Sequence, residues 1–358
     1  MTILEDLKLL VESQSPTEDL AACRATVELA NQICQRVLGS AAEIIEENGR
    51  PVFWWGAKEP SVIVLAHLDT VWPHDSFSPL WSIDGDVIRG PGVFDMKAGF
   101  LQAMYALQGI DNAAGRVALI ATTDEEVGSQ TSRDLIKRVS QPGRSVLVVE
   151  SAIDGKVKTG RKGTAMYQIT VHGRAAHAGL EPEKGINASV EIAHIVLALT
   201  ELENVELGTT VVPTTMKSGS TTNTVPALAT IDVDVRSFTL AELQRIDAAV
   251  KAFAPKNIQS KIEITGGINR PPLELAATQK LYDVFEEVAL RIGQGPIGSA
   301  VVGGASDGNF AAAAGADVLD GLGAIGAGAH AENEHVLLSS IEPRITLIRE
   351  FIKELIRE

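Results

Sequence analysis

The sequence predicts an α/β protein in which a mixed sheet flanked by helices carries a smaller, inserted α+β domain. Continuously apolar runs alternate with helical patterns over roughly the first 150 residues, which is typical of a sheet that helices cover on both faces. The order of elements then changes to β-α-β-β-α-β, the ferredoxin-like order. A length of 358 residues exceeds the roughly 100–200 residues of one ordinary domain, so two domains are expected.

The larger domain begins with helical patterns in the first forty residues, and alternating strands and helices follow. The predicted elements are a strand at 62–66, a helix at 96–109, a strand at 117–121, a helix at 132–139 and a strand at 146–149. Every position of these strands is apolar, so both faces of the sheet are expected to be buried.

The inserted domain is predicted at residues 162–270. Residues 167–172 alternate between apolar and polar, as a half-exposed strand does. The elements after them are a helix at 185–202, strands near 209–217 and 229–238, a helix at 240–253 and a strand at 261–265. This order predicts one sheet with two helices on one of its faces.

The chain returns to the larger domain after residue 270, so residues 1–161 and 271–358 are predicted to form one discontinuous domain. Its second part contains helical patterns at 275–292 and at the C-terminus, with strands near 300–302 and 317–319. We expect these elements to complete the first sheet.

The charge of the chain excludes several kinds of partner. The 31 basic and 46 acidic side chains leave a net charge of −15, which argues against nucleic-acid and membrane partners because phosphate contacts need clustered Lys and Arg.

No run of about 18 apolar residues is present, and the first residues lack a secretory signal pattern. Cys23 and Cys34 are roughly 16 Å apart on one helix, too far for a disulfide. We therefore expect a cytoplasmic protein with two reduced thiols near a helix surface.

Metal-competent side chains follow the first predicted strand and a later turn. His67 and Asp69 are two positions apart on an extended chain and face the same side. Asp69 can thus accept the imidazole N–H while the other nitrogen of His67 faces a metal, although a solvated polar turn is an equal alternative. Asp95 lies between a Gly/Pro turn and a helical run, where a helix N-cap is the alternative interpretation.

Acidic residues follow the next two strands. Residues 124–126 are three adjacent acids, which repel one another unless they are solvated or neutralised by a cation. The carboxyl ends of strands in an open α/β sheet are where such proteins place their sites. The candidate metal ligands at these positions and in the Gly-rich turn near the C-terminus are His67, Asp95, Glu126, Glu150 and His330.

Two imidazoles and three carboxylates suit a pair of zinc-like cations better than Mg²⁺ or Ca²⁺, which prefer oxygen ligands alone. Glu125 is then left to act as a general base toward water. A rival motif is the Gly-Leu-Gly-Ala-Ile-Gly segment at 321–326, which has the spacing of a dinucleotide-binding loop. No βαβ unit follows it, so we interpret it as a turn that lets His330 approach the metals.

The segments around His67, Asp95, Glu125, Glu150 and His330 resemble the M20 family of di-zinc aminoacylases and carboxypeptidases. The similarity is greatest to its glutamate carboxypeptidase (carboxypeptidase G2-like) branch. The resemblance implies a zinc-exopeptidase-like catalytic domain with an inserted lid and dimerisation domain. It also implies two Zn²⁺ per subunit, with Co²⁺ or Mn²⁺ as alternatives.

The resemblance assigns roles by position. Asp95 is expected to bridge two metals, with His67 and Glu150 completing one site and Glu126 and His330 the other.

Two further roles and one backbone feature follow from the same resemblance. Glu125 is expected to be the general base, and Asp69 to orient His67. The family has a cis peptide bond after the bridging Asp, which corresponds here to Asp95–Met96.

The resemblance extends into the inserted domain. His177, in Gly-Arg-Ala-Ala-His-Ala-Gly, matches a histidine that reaches the active site of the partner subunit and stabilises an oxyanion. Asn223 and Arg236 match the pair that holds the substrate carboxylate. The alternatives are a loop histidine for His177 and a surface ion pair with Asp234 for Arg236. A homodimer is implied, with an edge at 167–172 expected to form part of the contact.

The implied activity is hydrolysis of an amide or peptide bond in a small N-acyl amino acid or short peptide, with release of a C-terminal amino acid. The branch resemblance indicates glutamate. Two departures leave the substrate open: Asp-Met-Lys at 95–97, as in the deacetylase branch, and His335 where relatives commonly have Tyr. An N-acyl amino acid deacetylase of the acetylornithine type is one alternative. A catalytically inactive metal-binding relative is another, although Glu125 and all five ligands are present.

Overall fold

The computed structural model describes residues 2–357 and divides into two compact units. The larger unit comprises the chain up to Gly160, Glu274–Val302 and the chain from Ser306 onward. The smaller unit comprises Arg161–Leu273 and Gly303–Ala305. Each unit has its own hydrophobic core.

The elements that precede residue 162 are, in chain order, α1 (Ile3–Glu12), α2 (Leu20–Leu38), β1 (Glu43–Glu47), β2 (Arg50–Gly56), β3 (Val62–His67), β4 (Ser82–Asp84), β5 (Val87–Arg89), α3 (Ala98–Leu107), α4 (Ala113–Arg116), β6 (Val117–Thr122), α5 (Arg133–Val139), β7 (Ser145–Val148) and β8 (Val157–Arg161). Local capping sets the first helices. Thr2 and Glu5 form a capping box at α1, and the Asp19 carboxylate accepts two backbone N–H groups at the start of α2.

The smaller unit contains β9 (Gly163–His172), α6 (Ala188–Thr200), β10 (Thr210–Ser218), β11 (Leu228–Ser237), α7 (Leu240–Lys251) and β12 (Lys261–Arg270). The chain then adds α8 (Leu275–Arg291), β13 (Ser299–Val302), α9 (Gly308–Ala313), β14 (Asp317–Leu319), β15 (Gly326–Ala327), β16 (His335–Leu337) and α10 (Ile341–Arg357).

The main sheet of the larger unit has the strand order β1-β2-β6-β3-β7-β14. Strand β3 is parallel to both β6 and β7, whereas β2 is antiparallel to both of its neighbours, β1 and β6. The predicted mixed sheet is therefore confirmed. The hairpin β1–β2 was not predicted, although its Asn48-Gly49 turn has positive φ at both residues, the preferred geometry of a two-residue hairpin.

One strand that was predicted to complete the main sheet lies in a different sheet of the larger unit. Strand β14 pairs with β7 in the main sheet as expected, but β13 pairs with β8 in a separate two-stranded sheet. The prediction that β13 completes the main sheet is wrong. Its side chains alternate between exposed and half-buried, whereas a strand inside a doubly covered sheet must be buried on both faces.

The smaller unit has the predicted ferredoxin-like order, with an antiparallel sheet β10-β11-β9-β12. Helices α6 and α7 cover one face, where residues such as Ile169, Ile192 and Ile246 are buried. Strand β9 pairs with β11 on one side and β12 on the other. The expectation that 167–172 forms an edge is therefore wrong, because this topology places the first strand in the middle and β10 and β12 at the edges.

The two cysteines also differ from expectation. Cys23 and Cys34 are free but fully buried, and do not lie near a surface. They share the apolar face of α2 with Val27 and Ala30, which packs into the core of the larger unit. None of the helices between residues 2 and 357 is both long and apolar enough to span a membrane.

Candidate metal centre

Three parallel strands bring three of the five predicted ligands, His67, Glu126 and Glu150, to one edge of the main sheet. His67 is the last residue of β3 and pairs with Thr122, the last residue of β6. The short helical turn Glu125–Val127 follows β6, and Glu150 lies two positions beyond the end of β7. Because parallel strands end at the same edge, their following side chains converge there.

Asp95 lies between the two histidines of the cluster. Its Oδ1 is 3.2 Å from Nε2 of His67, and its Oδ2 is 3.4 Å from Nε2 of His330. Nε2 of His67 is also 3.7 Å from Glu150, and Nε2 of His330 is 3.1 Å from Glu126. The contacts thus form two groups that share one carboxylate, which is the arrangement implied for a bridging Asp95.

The loops that carry these side chains have unusual backbone geometry. The Asp95–Met96 peptide bond is cis, as the resemblance implied. His330 has a φ of +62°, in the left-handed region that few residues other than glycine adopt. In the 321–326 segment, a Cβ at Gly323 or Gly326 would overlap backbone atoms of neighbouring segments. These glycines allow close backbone packing, which fits the interpretation of the segment as a turn.

Asp69 holds both His67 and the acidic turn after β6. Nδ1 of His67 is 3.0 Å from the backbone carbonyl oxygen of Asp69 and 3.5 Å from its carboxylate. A proton on Nδ1 therefore leaves Nε2 free to face the cluster. The Asp69 carboxylate accepts hydrogen bonds from Thr17 Oγ1 at 2.8 Å and from the backbone N–H groups of Glu125 and Glu126 at 3.4 and 3.2 Å.

Burial and neighbouring ionisable side chains shift the pKa values of three residues in the cluster. Burial lowers the pKa of His67, but hydrogen bonds with Asp69 and Asp95 outweigh burial and raise it well above its ordinary value. Hydrogen bonds with Asp95 and Glu126 raise the pKa of His330 to about 10. Burial raises the pKa of Glu126 to about 7.

The residues fit a pair of divalent cations. Oε1 of Glu126 is buried and has no hydrogen-bond partner in the described chain, as expected for an oxygen that a cation would use. Ligand atoms of His67, Asp95 and Glu126 lie within 4.8 Å of one another, and so do those of His67, Glu125 and Glu150. Mixed nitrogen and oxygen donors of this kind suit zinc-like metals.

The comparison with known proteins identifies the family. The profile of Peptidase family M20/M25/M40 matches residues 63–354. The chain belongs to this family. Carboxypeptidase G2 from Pseudomonas sp. (strain RS-16) is 31% identical over 312 residues, covering 82% of this chain and 74% of that relative. Succinyl-diaminopimelate desuccinylase from Sulfurovum sp. (strain NBC37-1) is 24% identical over 379 residues, covering 99% of each.

A solved structure agrees with this assignment at the level of the fold. Aminopeptidase PepT from Bacillus cereus ATCC 10987 superposes with a TM-score of 0.78 at 22% identity, covering 99% of this chain and 98% of that one. The predicted M20 membership and the predicted fold class are therefore confirmed. As a member of the M20 family the chain is a hydrolase, and its candidate metal site fits the metal dependence of that family.

The structure of this M20 peptidase also contains a positioning residue that sequence reasoning missed. Glu334 is completely buried, and its carboxylate accepts hydrogen bonds from the backbone N–H groups of Phe94 at 2.9 Å and Asp95 at 3.1 Å. It also accepts from the N–H of Gly92 and the indole N–H of Trp72. Glu334 therefore holds the loop that carries Asp95. The sequence signal that could have pointed to Glu334 is its position four residues after the candidate ligand His330.

Replacing Glu334 with Gln should weaken both the fold and metal binding. The amide nitrogen of Gln cannot accept a hydrogen bond, so about two of the four hydrogen bonds are lost and their donors stay buried without an acceptor. We expect the free energy of unfolding to fall by about 1–3 kcal/mol and metal affinity to fall about 10–100-fold. Urea unfolding and calorimetric metal titration measure the two effects. Glu332→Gln is the matched control, because Glu332 is exposed; unchanged metal affinity in Glu334→Gln would contradict this role.

The predicted residues of the inserted domain lie in the smaller unit. His177 and Asn223 are both exposed and belong to neighbouring segments, joined by a hydrogen bond from the N–H of Ala178 to the carbonyl oxygen of Asn223. Nδ1 of His177 accepts hydrogen bonds from the backbone N–H groups of Gly179 and Leu180, both at 3.1 Å. Nε2 of His177 is thus the nitrogen that remains to donate to a ligand.

Arg236 forms the ion pair that was the alternative interpretation of this residue. Its Nε and Nη2 donate to the Asp234 carboxylate at 2.9 and 3.3 Å. The guanidinium is partly exposed, and a planar guanidinium has five N–H donors, so the pair leaves further donors for a substrate carboxylate. His335 lies apart from the metal contacts described above, with Nδ1 2.8 Å from the carbonyl oxygen of Asn333.

Proposed function

We propose that this M20 peptidase hydrolyses an amide or peptide bond and releases a C-terminal glutamate from an N-acyl or peptidyl substrate. The observation that carries the proposal is the gathering of four ligand-type side chains around the shared carboxylate of Asp95, with Glu125 beside them. The 31% identity to carboxypeptidase G2 supports glutamate as the released residue. An inactive metal-binding relative is disfavoured, since neither a ligand nor the general base has been lost.

The roles in the reaction follow from the side chains. The two cations held around Asp95, when bound, supply Lewis acidity that polarises the amide carbonyl and acidifies the attacking water. The Glu125 carboxylate takes a proton from that water and returns it to the nitrogen of the leaving amine. Arg236 and Asn223 hold the substrate carboxylate, and His177 donates to the oxyanion of the tetrahedral intermediate.

We propose Zn²⁺ as the metal at both positions, with Co²⁺ and Mn²⁺ as the competing candidates. Two imidazoles and three carboxylates form a mixed nitrogen and oxygen set, which zinc accepts readily. The order of affinities for divalent metals places Mn²⁺ below Co²⁺. Metal analysis of the purified protein, followed by reconstitution of the stripped protein with each ion, distinguishes the three.

The proposed function is tested by amino-acid release from a small panel, using zinc-loaded and chelator-stripped protein. The panel contains N-acyl and N-aroyl glutamates, N-acetylornithine and simple dipeptides. Metal-dependent release of glutamate is the expected result. Release from N-acetylornithine alone would reject the carboxypeptidase assignment in favour of a deacetylase, and the absence of turnover on all members would contradict the proposed function.

We also propose that the active form is a homodimer. Strand β10 is an edge of the smaller unit's sheet, and Val212 and Met216 on it are exposed. An edge strand with exposed apolar side chains is a surface on which a second copy can add. Sedimentation velocity of the active protein measures the state directly, and a fully active monomer would contradict the proposal.

If His177 acts on the partner's site, two inactive variants should complement each other. In a mixed dimer of Glu125→Gln and His177→Ala, one of the two sites combines the native Glu125 of one subunit with the native His177 of the other. After subunit exchange in an equal mixture, half of the dimers are mixed. About a quarter of all sites are then intact, so about a quarter of wild-type activity should be recovered. His177→Ala alone should lose about 10²–10³-fold in kcat. The control mixture is Glu125→Gln with Asp95→Asn, which leaves every site defective. Equal, unrecovered activity in both mixtures would contradict action in trans.

We propose that the protein works in the cytoplasm. Both of its cysteines are free and buried in the described structure, and free thiols are the usual state in a reducing compartment. Fractionation of the source cells, with antibody detection of the chain, tests this location.

A further inference from the structure

A cavity of about 780 Å³ lies in the larger unit beside the candidate metal centre. It is lined by residues 16–21, by residues of the segment 70–74, and by Glu126 and Val127. Glu126 is also a candidate metal ligand that contacts His330. The cavity therefore adjoins the position at which the reacting amide would lie. Its volume is in the range of ordinary small-molecule sites.

The wall of this cavity carries large apolar side chains that are not covered by the rest of the unit. Leu20, Val71 and Val127 are 43%, 39% and 38% exposed, and all three line the cavity. Apolar side chains that line a concavity next to a reactive centre are typical of a binding site. Single apolar side chains scattered over a surface are, by contrast, normal and do not indicate a site.

The charge of the wall is negative. Glu18 and Asp19 line the cavity, together with His74, whose Nε2 is 3.0 Å from the Asp19 carboxylate. The backbone N–H of Ala22 and the His74 side chain hold the pKa of Asp19 below its usual range. In the part of the chain that the structure describes, no Lys or Arg lines this cavity. A carboxylate placed in it would meet three acidic residues, Glu18, Asp19 and Glu126, without a guanidinium or ammonium partner.

We propose that this cavity binds the acyl group of the substrate and selects an apolar, uncharged chain. The inference rests on the proposed function, amide hydrolysis of an N-acyl amino acid. The amine side of every such substrate carries a free carboxylate, for which the described lining of the cavity offers no Lys or Arg, so the acyl side is the part that fits. For the same reason the cavity disfavours an acyl group that ends in a carboxylate, such as succinyl.

The experiment compares N-acetyl-, N-hexanoyl- and N-adipoylglutamate with the zinc-loaded protein. The hexanoyl and adipoyl groups have equal length and differ in a terminal methyl against a terminal carboxylate. We expect kcat/KM for the hexanoyl compound to exceed that for the acetyl compound and that for the adipoyl compound by at least about tenfold. Calorimetric binding of the two longer compounds to the Glu125→Gln protein should show the same order.

Equal kcat/KM for the hexanoyl and adipoyl compounds would overturn the assignment of the cavity, while metal-dependent release would still support the proposed function. No release from any of the three would overturn the proposed function and the assignment with it. These two failures are therefore distinguishable in one assay.

A charge placed in the wall should invert the selection. Leu20→Arg, or Val127→Lys as a second variant, should raise kcat/KM for the adipoyl compound relative to the hexanoyl compound at least about tenfold. Leu9→Arg is the matched control, because Leu9 is 39% exposed on α1 and does not line the cavity. The assignment would be overturned if the ratio of kcat/KM for the adipoyl compound to that for the hexanoyl compound changed equally in Leu20→Arg and Leu9→Arg, or changed in neither variant.

Discussion

Replacing Glu125 with Gln should lower turnover at least about 100-fold while two metal ions stay bound. The amide has nearly the same shape as the carboxylate, but it cannot take a proton from water. General-base catalysis contributes about 10²–10⁴-fold, so kcat for glutamate release should fall by that factor. The assay is initial-rate kinetics on an N-acylglutamate, with the metal content of the same sample measured by atomic emission.

The neighbouring acid provides a matched comparison. Glu126 contacts His330 at 3.1 Å and has a buried oxygen without a hydrogen-bond partner among residues 2–357, so Glu126→Gln should lose metal as well as activity. The ligand atom of Glu125 also lies within 4.8 Å of those of His67 and Glu150. The structure therefore allows Glu125 to be a ligand. Loss of a metal ion from Glu125→Gln would establish Glu125 as a metal ligand and contradict its assignment as the general base. Near-normal turnover of Glu125→Gln would contradict both roles.

The strands that position the site were predictable because their local pattern is strong. Strands β3, β6 and β7 are short, continuously apolar runs, and the structure buries them at nearly every position, as expected for strands with both faces covered. Polar residues at or just beyond the ends of these strands, such as His67 and Glu150, must then lie at one edge of the sheet. The convergence of ligand-type residues was therefore readable from short segments of the chain.

Features that depend on distant partners were not predictable in this way. Glu334 acts through backbone N–H groups about 240 positions earlier in the chain, and every residue type except proline can supply such a donor. Nothing in the local pattern of β9 shows that it lies between β11 and β12, because strand order is a property of the whole domain. The burial of Cys23 and Cys34 likewise depends on which face of α2 meets the core.

The second large expected effect is loss of both metal ions in Asp95→Asn. Each carboxylate oxygen of Asp95 faces a different histidine, at 3.2 Å from His67 and 3.4 Å from His330. An amide retains one oxygen and loses the negative charge, so it cannot serve both groups at once. Changes to residues that only support a ligand cost about 10–100-fold in metal affinity, so removal of the shared ligand should cost more than about 100-fold.

Metal titration and thermal unfolding provide two independent measures of this loss. At a metal concentration of 100 times the dissociation constant, one bound ion stabilises the folded protein by about 2.7 kcal/mol. The wild-type Tm should therefore rise on addition of Zn²⁺, and the Tm of Asp95→Asn should not. Asp84→Asn is the control, because Asp84 is exposed at the end of β4 and should retain the full rise. Two ions per chain in Asp95→Asn would show that the metals do not share this carboxylate, and the division of the five ligands around Asp95 would then be wrong.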